Sequence, residues 1–202
     1  NIIAKATPSK DGKIIPQCTV CNDRKPVQTI ARPAFYAFTK NTYNGKVLKP
    51  TVTVIDKNGK KLSASSYQVT YKTPGKNVGT YQAVIKFRGN YSGSKTVSYQ
   101  ILPKGSSLKS LKALKKSFSV TWKQIADKMS SVRISGYQIQ YSENSNFSKA
   151  KTTTVSGYKK TGTTIKNLKA KKKYYVRIRT MIKISGKNYY SSWSSSKNVK
   201  TK

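Results

Sequence analysis

The sequence predicts an all-β fold, and three observations support this prediction. Apolar residues alternate with polar ones at a period of two in several short runs, such as Tyr137–Tyr141 and Tyr174–Ile178. No stretch keeps a helical period of 3.6 residues for three turns. Asn-Gly, Pro-Gly and Ser-Gly sequences separate the runs, and their glycines supply the positive φ angles that tight turns require. We therefore expect short strands and turns throughout the 202 residues.

Two breaks divide the chain into three predicted pieces. Residues 103–107 have the Pro, Gly and Ser composition of a linker. A weaker break lies at Arg32-Pro33, because proline restricts the preceding residue to an extended conformation. The sequence therefore predicts a short hairpin over residues 1–33, followed by two β-sandwich domains in tandem over residues 34–103 and 104–202. The run Leu108 to Leu114 is interpreted as the first strand of the last domain, although its leucines fall at a spacing of three.

Lysine dominates the charge of the chain. There are 41 Lys and Arg against five Asp and Glu, which gives a formal net charge of +36, so we expect anionic partners. Only six of these basic residues are arginine, the side chain suited to bidentate phosphate or guanine recognition. The candidate partners are an anionic cell-wall polymer, an acidic host glycoprotein or immunoglobulin and, non-specifically, nucleic acid. The alternative is a solvated basic surface without a charge-driven partner.

Missing residue types exclude most catalytic chemistry. The chain has no His, which removes histidine triads and nearly every catalytic zinc or iron site. It has no Gly-rich phosphate loop, and its five acids are scattered. A cross-link between Lys and Asn or Asp stays open, with Asp56, Asp127 or Glu143 as the assisting acid. Such acids more often cap turns or pair with surface lysines. The prediction is a non-enzyme without a cofactor.

The two cysteines form a C-x-x-C pair. Cys18 and Cys21 lie between two short extended runs, which predicts a hairpin with the cysteines near its tip. A structural zinc site needs four ligands, and Cys18 and Cys21 are weak candidates because they supply only two. A complete site would need a second copy of the hairpin, so no metal site is predicted. A local disulfide or two free thiols are preferred over a zinc site. Redox catalysis ranks last, because no helix follows the motif to lower the thiol pKa. The segment resembles a short C-x-x-C hairpin repeat of secreted proteins of gut-dwelling Firmicutes.

The middle piece contains turn motifs in a recurrent order. Lys49-Pro50 follows the motif at Tyr43–Lys46, and the series continues with Asn77–Thr80 and Gly89–Gly93. This series resembles an Ig-like domain of bacterial cell-surface proteins. The resemblance implies a spacer or adhesion role and carries over no catalytic site.

The last piece combines a Trp, a tyrosine pair and a Leu–Tyr spacing. Trp122 is predicted to face inward on an early strand, Tyr137 and Tyr141 share a strand, and Leu168 precedes Tyr174 by six residues. This set resembles a fibronectin type III domain, in which Tyr174 would be the corner tyrosine. One departure is Ala170, where the family usually has Pro, so we expect the corner to be less rigid.

An aromatic and cationic group near the end of the chain is the candidate binding site. Arg177 and Arg179 are predicted to face outward and to stack on Trp193 of a neighbouring strand. Such ladders are commonly structural devices that stiffen a sheet edge. The functional interpretation is a ligand platform for sugar rings or an acidic glycoprotein, made of Tyr175, Arg177, Arg179, Tyr189, Tyr190 and Trp193.

These observations predict the non-catalytic spacer or adhesion module of a secreted or surface-attached bacterial protein, with non-specific affinity for anionic polymers. A specific binder of a mucosal glycoprotein or immunoglobulin is the first alternative, and nucleic-acid binding through the +36 charge is the second. No apolar run is long enough for a transmembrane segment or a signal peptide. The sequence is therefore expected to be a mature fragment or a piece of a longer chain.

Overall fold

The computed structural model describes residues 1–202, which form strands and one short 3₁₀ helix at Ala64–Ser66. The predicted all-β fold is confirmed. The strands are β1 Ile2–Ala4, β2 Gly12–Ile14, β3 Gln28–Ile30, β4 Pro33–Phe38, β5 Asn41–Thr42, β6 Val52–Asp56, β7 Tyr67–Tyr71, β8 Gly79–Phe87, β9 Ser94–Leu102, β10 Leu108–Leu114, β11 Ser117–Trp122, β12 Gly136–Ser142, β13 Lys151–Ser156, β14 Gly162–Ile165, β15 Lys173–Ile184, β16 Lys187–Tyr190 and β17 Lys197–Lys200.

The chain divides into two compact units. Unit 1 consists of Asn1–Asn41, Val47–Gly75 and Thr80–Gln100. Unit 2 consists of Thr42–Lys46, Lys76–Gly79 and Ile101–Lys202. The division into three domains, at residues 33 and 103, stays a prediction.

Unit 1 is built around a small apolar core between short sheets. Its sheets have the strand orders β1-β2-β3, β4-β6 and β5-β9-β8-β7. Because side chains alternate along a strand, β6 buries Val52 and Val54, and β8 buries Ile85 and Phe87. Gly89, with φ +65°, turns the chain after β8 at an angle that a larger side chain rarely adopts.

The N-terminal segment of unit 1 is bound to the loop after β8. The Ala6 N–H donates to the Asn90 carbonyl at 3.0 Å, and the Ser92 N–H donates to the Ala6 carbonyl at 2.8 Å. The Arg32 N–H donates to Asp11 Oδ1 at 3.0 Å, and Lys57 forms an ion pair with the same carboxylate. The bonds with Asn90 and Ser92 and the ion pair with Lys57 attach residues 1–33 to the rest of unit 1.

Asp56 is the buried acid of unit 1, and it caps a turn. Its Oδ1 accepts the backbone N–H groups of Asn58 and Lys60, both at 2.9 Å. In unit 2, Asp127 pairs with Lys104 at 2.7 Å, and Glu143 pairs with Lys169 at 2.9 Å. The three acids named as helpers of a covalent cross-link therefore have ordinary partners.

Unit 2 has two sheets facing one core. One sheet has the order β10-β11-β14, and the other has the order β13-β12-β15-β16, with β17 also paired to β15. The predicted inward position of Trp122 is observed, since its side chain is fully buried and its ring centroid lies 5.2 Å from that of Tyr137. At the corner, the Lys169 N–H donates to the Tyr174 hydroxyl at 3.2 Å. The run Leu108–Leu114 is a strand, as predicted.

Residues 103–107, which are predicted to be a linker, are hydrogen-bonded to other parts of unit 2. The Ser106 hydroxyl donates to the Lys123 carbonyl at 2.6 Å, and the Thr180 hydroxyl donates to the Lys104 carbonyl at 2.6 Å. Ser106 is buried. The segment lies between β9 and β10, and these hydrogen bonds fix it to unit 2.

Candidate functional site

The longest strand of unit 2 carries the two predicted arginines. Side chains of β15 alternate between the core and the outer face of the sheet, so Val176 and Ile178 are buried while Arg177 and Arg179 point outward and are half-buried. Their neighbours across the sheet are Gln140 and Gln138 of β12. The twelve-residue strand therefore holds both guanidinium groups on one surface.

Two serine hydroxyls hold the following segment against β15. The Ile178 N–H donates to Ser194 Oγ at 3.1 Å, and the Thr180 N–H donates to Ser191 Oγ at 3.0 Å. Backbone bonds run in the other direction, from the Ser191 N–H to the Thr180 carbonyl and from the Ser194 N–H to the Ile178 carbonyl. These four bonds place the intervening Trp193 beside the arginines.

The rings and guanidinium groups form an alternating series, which we call the arginine–aromatic stack. It consists of Phe147, Arg177, Trp193, Arg179 and Tyr190. The Arg177 guanidinium lies 3.9 Å from the Phe147 ring centroid and 5.0 Å from that of Trp193. The Arg179 guanidinium lies 4.3 Å from the Trp193 centroid and 4.0 Å from that of Tyr190. Each guanidinium group thus contacts two rings at distances suited to cation–π attraction.

Glutamines orient the guanidinium planes. Arg177 Nε donates to Gln140 Oε1 at 2.7 Å, and Arg179 donates to Gln138 Oε1 through two nitrogens at 2.9 and 2.7 Å. Desolvation lowers the pKa of both arginines from its usual range, and for Arg179 the nearby Arg177 charge adds to this effect. Both groups stay charged at neutral pH, because an arginine pKa lies far above 7. The stack is therefore a fixed pair of positive charges lined by aromatic rings.

Two of the predicted platform residues lie outside the stack. Tyr189 is buried in the core, because adjacent residues of β16 face opposite sides and Tyr190 faces outward. Tyr175 is outward and half-buried, but its ring contacts the Lys173 ammonium, 5.2 Å from the ring centroid. The buried position of Tyr189 therefore removes it from the exposed face of the proposed ligand platform.

The sequence analysis missed Phe147 and the two glutamines. Phe147 lies between β12 and β13 with φ 58°, a value that is unusual for a bulky residue, and no periodic pattern marks it. Gln138 and Gln140 occupy the outward positions between Tyr137, Ile139 and Tyr141, so the alternation could have identified their face. Only the pairing of β12 with β15 shows that they meet the arginines.

Nine exposed lysines gather at one end of unit 2, and we call this group the lysine pole. It consists of Lys115, Lys116, Lys166, Lys169, Lys171, Lys172, Lys173, Lys200 and Lys202.

Backbone hydrogen bonds bring its three segments together. The Lys116 N–H donates to the Lys202 carbonyl at 2.9 Å, and the Leu168 N–H donates to the Lys116 carbonyl at 2.9 Å. The buried Thr201 connects the other two segments, since its N–H donates to the Lys172 carbonyl and its hydroxyl donates to the Lys169 carbonyl.

One carboxylate lies beside the lysine pole. The Lys169 ammonium contacts Glu143 at 2.9 Å, and this hydrogen bond raises the pKa of Lys169 and lowers that of Glu143. Since the whole chain has only five acids, most of its 41 basic side chains cannot have an acidic partner. The lysine pole therefore presents a concentrated positive surface with little internal neutralisation.

The two cysteines are free thiols in a loop of unit 1. Cys18 is half-buried and Cys21 is exposed. A hydrogen bond with the Cys21 thiol, followed by backbone hydrogen bonds with Cys21 and Val20, lowers the pKa of Cys18 to about 7. The strands β2 and β3 pair on either side of the loop, while the resemblance to a C-x-x-C repeat stays a prediction.

Residues 102–197 match the family model of the fibronectin type III domain. The predicted resemblance is confirmed over that range. Domains of this family are generally non-catalytic modules and are typical of extracellular proteins. The structure has no apolar helix of the length that a membrane span requires.

Several solved structures are similar to the chain at low sequence identity. The FN1-FN3 domains of chicken CNTN1 share 18% identity over 96% of this chain and 78% of that chain, with a TM-score of 0.43. A multidomain segment of titin shares 15% identity over 95% and 73%, with a TM-score of 0.37. A β-1,2-glucanase from Parabacteroides distasonis shares 16% identity over 58% and 17%, with a TM-score of 0.38. Likenesses at this level carry no argument about function, and no curated protein matches the chain.

Proposed function

We propose that this chain is a non-catalytic spacer and adhesion module of a secreted or surface-attached bacterial protein, and that it binds anionic polymers. The observation that carries this proposal is the lysine pole, where nine exposed lysines from three segments share one end of unit 2 with one acidic side chain, that of Glu143. Polyanions such as phosphate-containing wall polymers are the ligand class that this surface fits.

Lysine chemistry favours a polymer over a small, defined ligand. Lysine ammonium groups are strongly hydrated point charges on flexible stems, so they follow a charged chain without fixing its orientation. Binding of this kind gains free energy from the release of counterions, and it weakens steeply as salt concentration rises. The proposed contact is therefore broad in specificity and sensitive to salt.

The bacterial surface is proposed from two kinds of support. Residues 102–197 match a family typical of extracellular proteins. The turn series between Tyr43 and Gly93 resembles an Ig-like domain of bacterial cell-surface proteins, which implies a spacer or adhesion role. The lack of histidine in the sequence favours a module that projects or attaches other domains over an enzyme.

The test is a binding panel with the full chain at about 0.05 M and about 0.5 M NaCl, where the Debye length falls from more than ~10 Å to less than ~8 Å. The ligands are a purified teichoic-type polymer, duplex DNA, mucin and immunoglobulin. We expect all polyanions to bind at low salt and all signals to disappear at high salt. One ligand that stays bound at high salt while the others are lost would contradict the charge-based proposal and favour a specific recognition surface.

Two matched triple variants locate the contact. The pole variant carries Lys171→Gln, Lys172→Gln and Lys200→Gln, and the control carries Lys46→Gln, Lys60→Gln and Lys86→Gln. All six side chains are exposed, so both variants lose the same charge without disturbing a core. We expect the pole variant to lose about tenfold in affinity for the wall polymer and the control to lose about twofold. Equal losses would show that the pole has no special role.

A further inference from the structure

The loop that carries the two cysteines is a tight, hydrogen-bonded turn. The Cys18 N–H donates to the Asp23 carbonyl at 2.9 Å, and the Asn22 N–H donates to the Cys18 carbonyl at 3.2 Å. An antiparallel bridge between Gln17 and Arg24 closes the loop at its base. The side-chain amide of Gln17 also donates, through Nε2, to the Asn22 backbone carbonyl at 3.2 Å. The backbone of the loop is therefore fixed before any ligand is bound.

A backbone N–H group of this turn is hydrogen-bonded to the Cys18 sulfur. The Cys21 N–H donates to Cys18 Sγ at 3.3 Å. Asn22 follows in the left-handed region, with φ 60°, and this turns the chain back towards Arg24 immediately after the second cysteine. An N–H group directed at a sulfur stabilises negative charge on it, as the surrounding hydrogen bonds of metal-bound thiolates do. Two thiols three residues apart are thus held on one turn.

The outer side of the turn is open to solvent. Cys21 is exposed, and the side chain of Val20 between the two cysteines is 93% exposed. No other Cys, Asp or Glu lies close enough to make a group of three possible metal ligands, and the chain contains no His. The turn therefore offers two sulfur ligands on an uncovered surface and nothing to complete a coordination shell.

We propose that Cys18 and Cys21 form one half of a tetrathiolate Zn²⁺ site, and that a second copy of this chain supplies the other half. Structural zinc is bound tetrahedrally, and four cysteines supplied as two pairs at a spacing of two to four intervening residues make a complete shell. Binding forms four Zn–S bonds and releases four protons, one from each thiol, with no change of oxidation state. The second copy also covers Val20, because the cysteine-bearing turns of the two copies meet at the metal ion.

Charge makes the salt dependence of this assembly distinctive. Each chain carries +36, so two copies repel one another, while a zinc ion with four thiolates carries a local charge of −2 that offsets only part of the repulsion. Salt screens the repulsion but leaves the coordinate bonds in place. Zinc-dependent association therefore strengthens as salt concentration rises, whereas the proposed binding of polyanions weakens. The two proposals can fail separately.

The experiment is a titration of the reduced full chain, freed of metal by a chelator and then desalted, with ZnCl₂ or CoCl₂ in about 1 M NaCl, where the Debye length is ~3 Å. Cobalt reports a tetrahedral sulfur shell through its d–d and sulfur-to-metal absorption bands, and light scattering reports the mass. We expect saturation at one metal ion per two chains and a doubling of the mass. Saturation at one metal ion per chain without a mass change, or no binding, would overturn the proposal.

Substitutions in the turn distinguish the loss of a metal ligand from a change in the backbone conformation of the turn. Cys18→Ser and Cys21→Ser should each abolish the cobalt–sulfur bands and the doubling of mass, and both residues lie on a loop surface where the change leaves the fold intact. Asn22→Gly permits the same positive φ and should bind metal within about twofold of the natural chain. Asn22→Val disfavours that φ and should weaken binding about tenfold or more. Equal metal affinity in the two Asn22 variants would contradict a preformed turn.

Discussion

The thiol of Cys18 has an acidity that is set by its neighbours in the loop. Its pKa of about 7 follows first from the hydrogen bond with the Cys21 thiol and then from the backbone groups of Cys21 and Val20. The folded state therefore favours the thiolate, the nucleophilic form of cysteine. At neutral pH about half of the Cys18 groups are ionised.

Alkylation of the metal-free chain should follow this ionisation. We expect the rate at which iodoacetamide modifies Cys18, measured by mass spectrometry between about pH 5.5 and 9.5, to rise with a midpoint near pH 7. Cys21→Ala removes the first of these causes, because the alanine side chain cannot form a hydrogen bond with the Cys18 sulfur, so the midpoint should move towards the ordinary pKa of a cysteine. A midpoint that is the same in both proteins would show that the Cys21 thiol does not set the acidity.

At the scale of elements, β15 connects the core to the outer surface of unit 2. Its inward residues, such as Ile178, build the core, while its outward arginines bind rings supplied by a loop and by the segment after β16. A guanidinium plane suits this position because it stacks on rings and donates from its edge to a glutamine at the same time. Lysine reproduces the charge but not the plane.

Replacement of a stack arginine by lysine should therefore cost stability. We expect Arg179→Lys to lower the free energy of unfolding by about 1–2 kcal/mol, because two bonds to Gln138 and two ring contacts lose their geometry. Urea unfolding followed by circular dichroism measures this change.

Arg133→Lys is the matched control for this prediction. Arg133 contacts a single ring, that of Tyr158 at 5.0 Å, and its Nε donates to the Ala126 carbonyl at 3.2 Å. We expect this exposed replacement to cost less than about 1 kcal/mol. Equal costs at the two sites would mean that the stack adds nothing beyond one ordinary contact.

Sequence patterns predicted the stack only in part. Alternation along one strand was sufficient to put Arg177 and Arg179 outward, because the period of a strand is local information. The same rule places the adjacent residues Tyr189 and Tyr190 on opposite faces of the sheet, but the predicted ligand platform included both. Phe147 could not be predicted, since a loop residue has no periodicity and its position depends on the path between β12 and β13.

The lysine pole could not be predicted from the sequence either. The abundance of lysine was evident, but the pole joins residues near positions 116, 170 and 201 through hydrogen bonds between Lys116, Lys172, Thr201 and Lys202. Those contacts depend on which strands pair, which a single sequence does not specify. Composition therefore predicted the charge of the ligand but not the place where it binds.

The whole molecule carries far more positive than negative charge, and this imbalance opposes compaction. Lys57, Lys104 and Lys169 form ion pairs with acidic side chains. Most of the other lysines are exposed, and folding brings their like charges closer together. Conditions that screen charge should stabilise the folded state.

Thermal unfolding should show this effect directly. We expect the Tm of the chain to rise by several degrees between about 0.01 M and about 1 M NaCl, as the Debye length falls from ~30 to ~3 Å. The triple variant at Lys171, Lys172 and Lys200 should have a higher Tm than the natural chain at low salt and a smaller response to salt. A Tm that falls or stays constant as salt rises would contradict self-repulsion as a significant cost.

The two tryptophans of the chain both belong to unit 2, and their surroundings differ. Trp122 is fully buried beside Tyr137, whereas Trp193 is half-buried between two guanidinium groups. Indole fluorescence therefore reports on two places in one unit, and Phe substitution of either Trp separates their emission. Unit 1 has no indole, so its unfolding must be followed through tyrosine emission or amide signals, and a single fluorescence transition describes unit 2 alone.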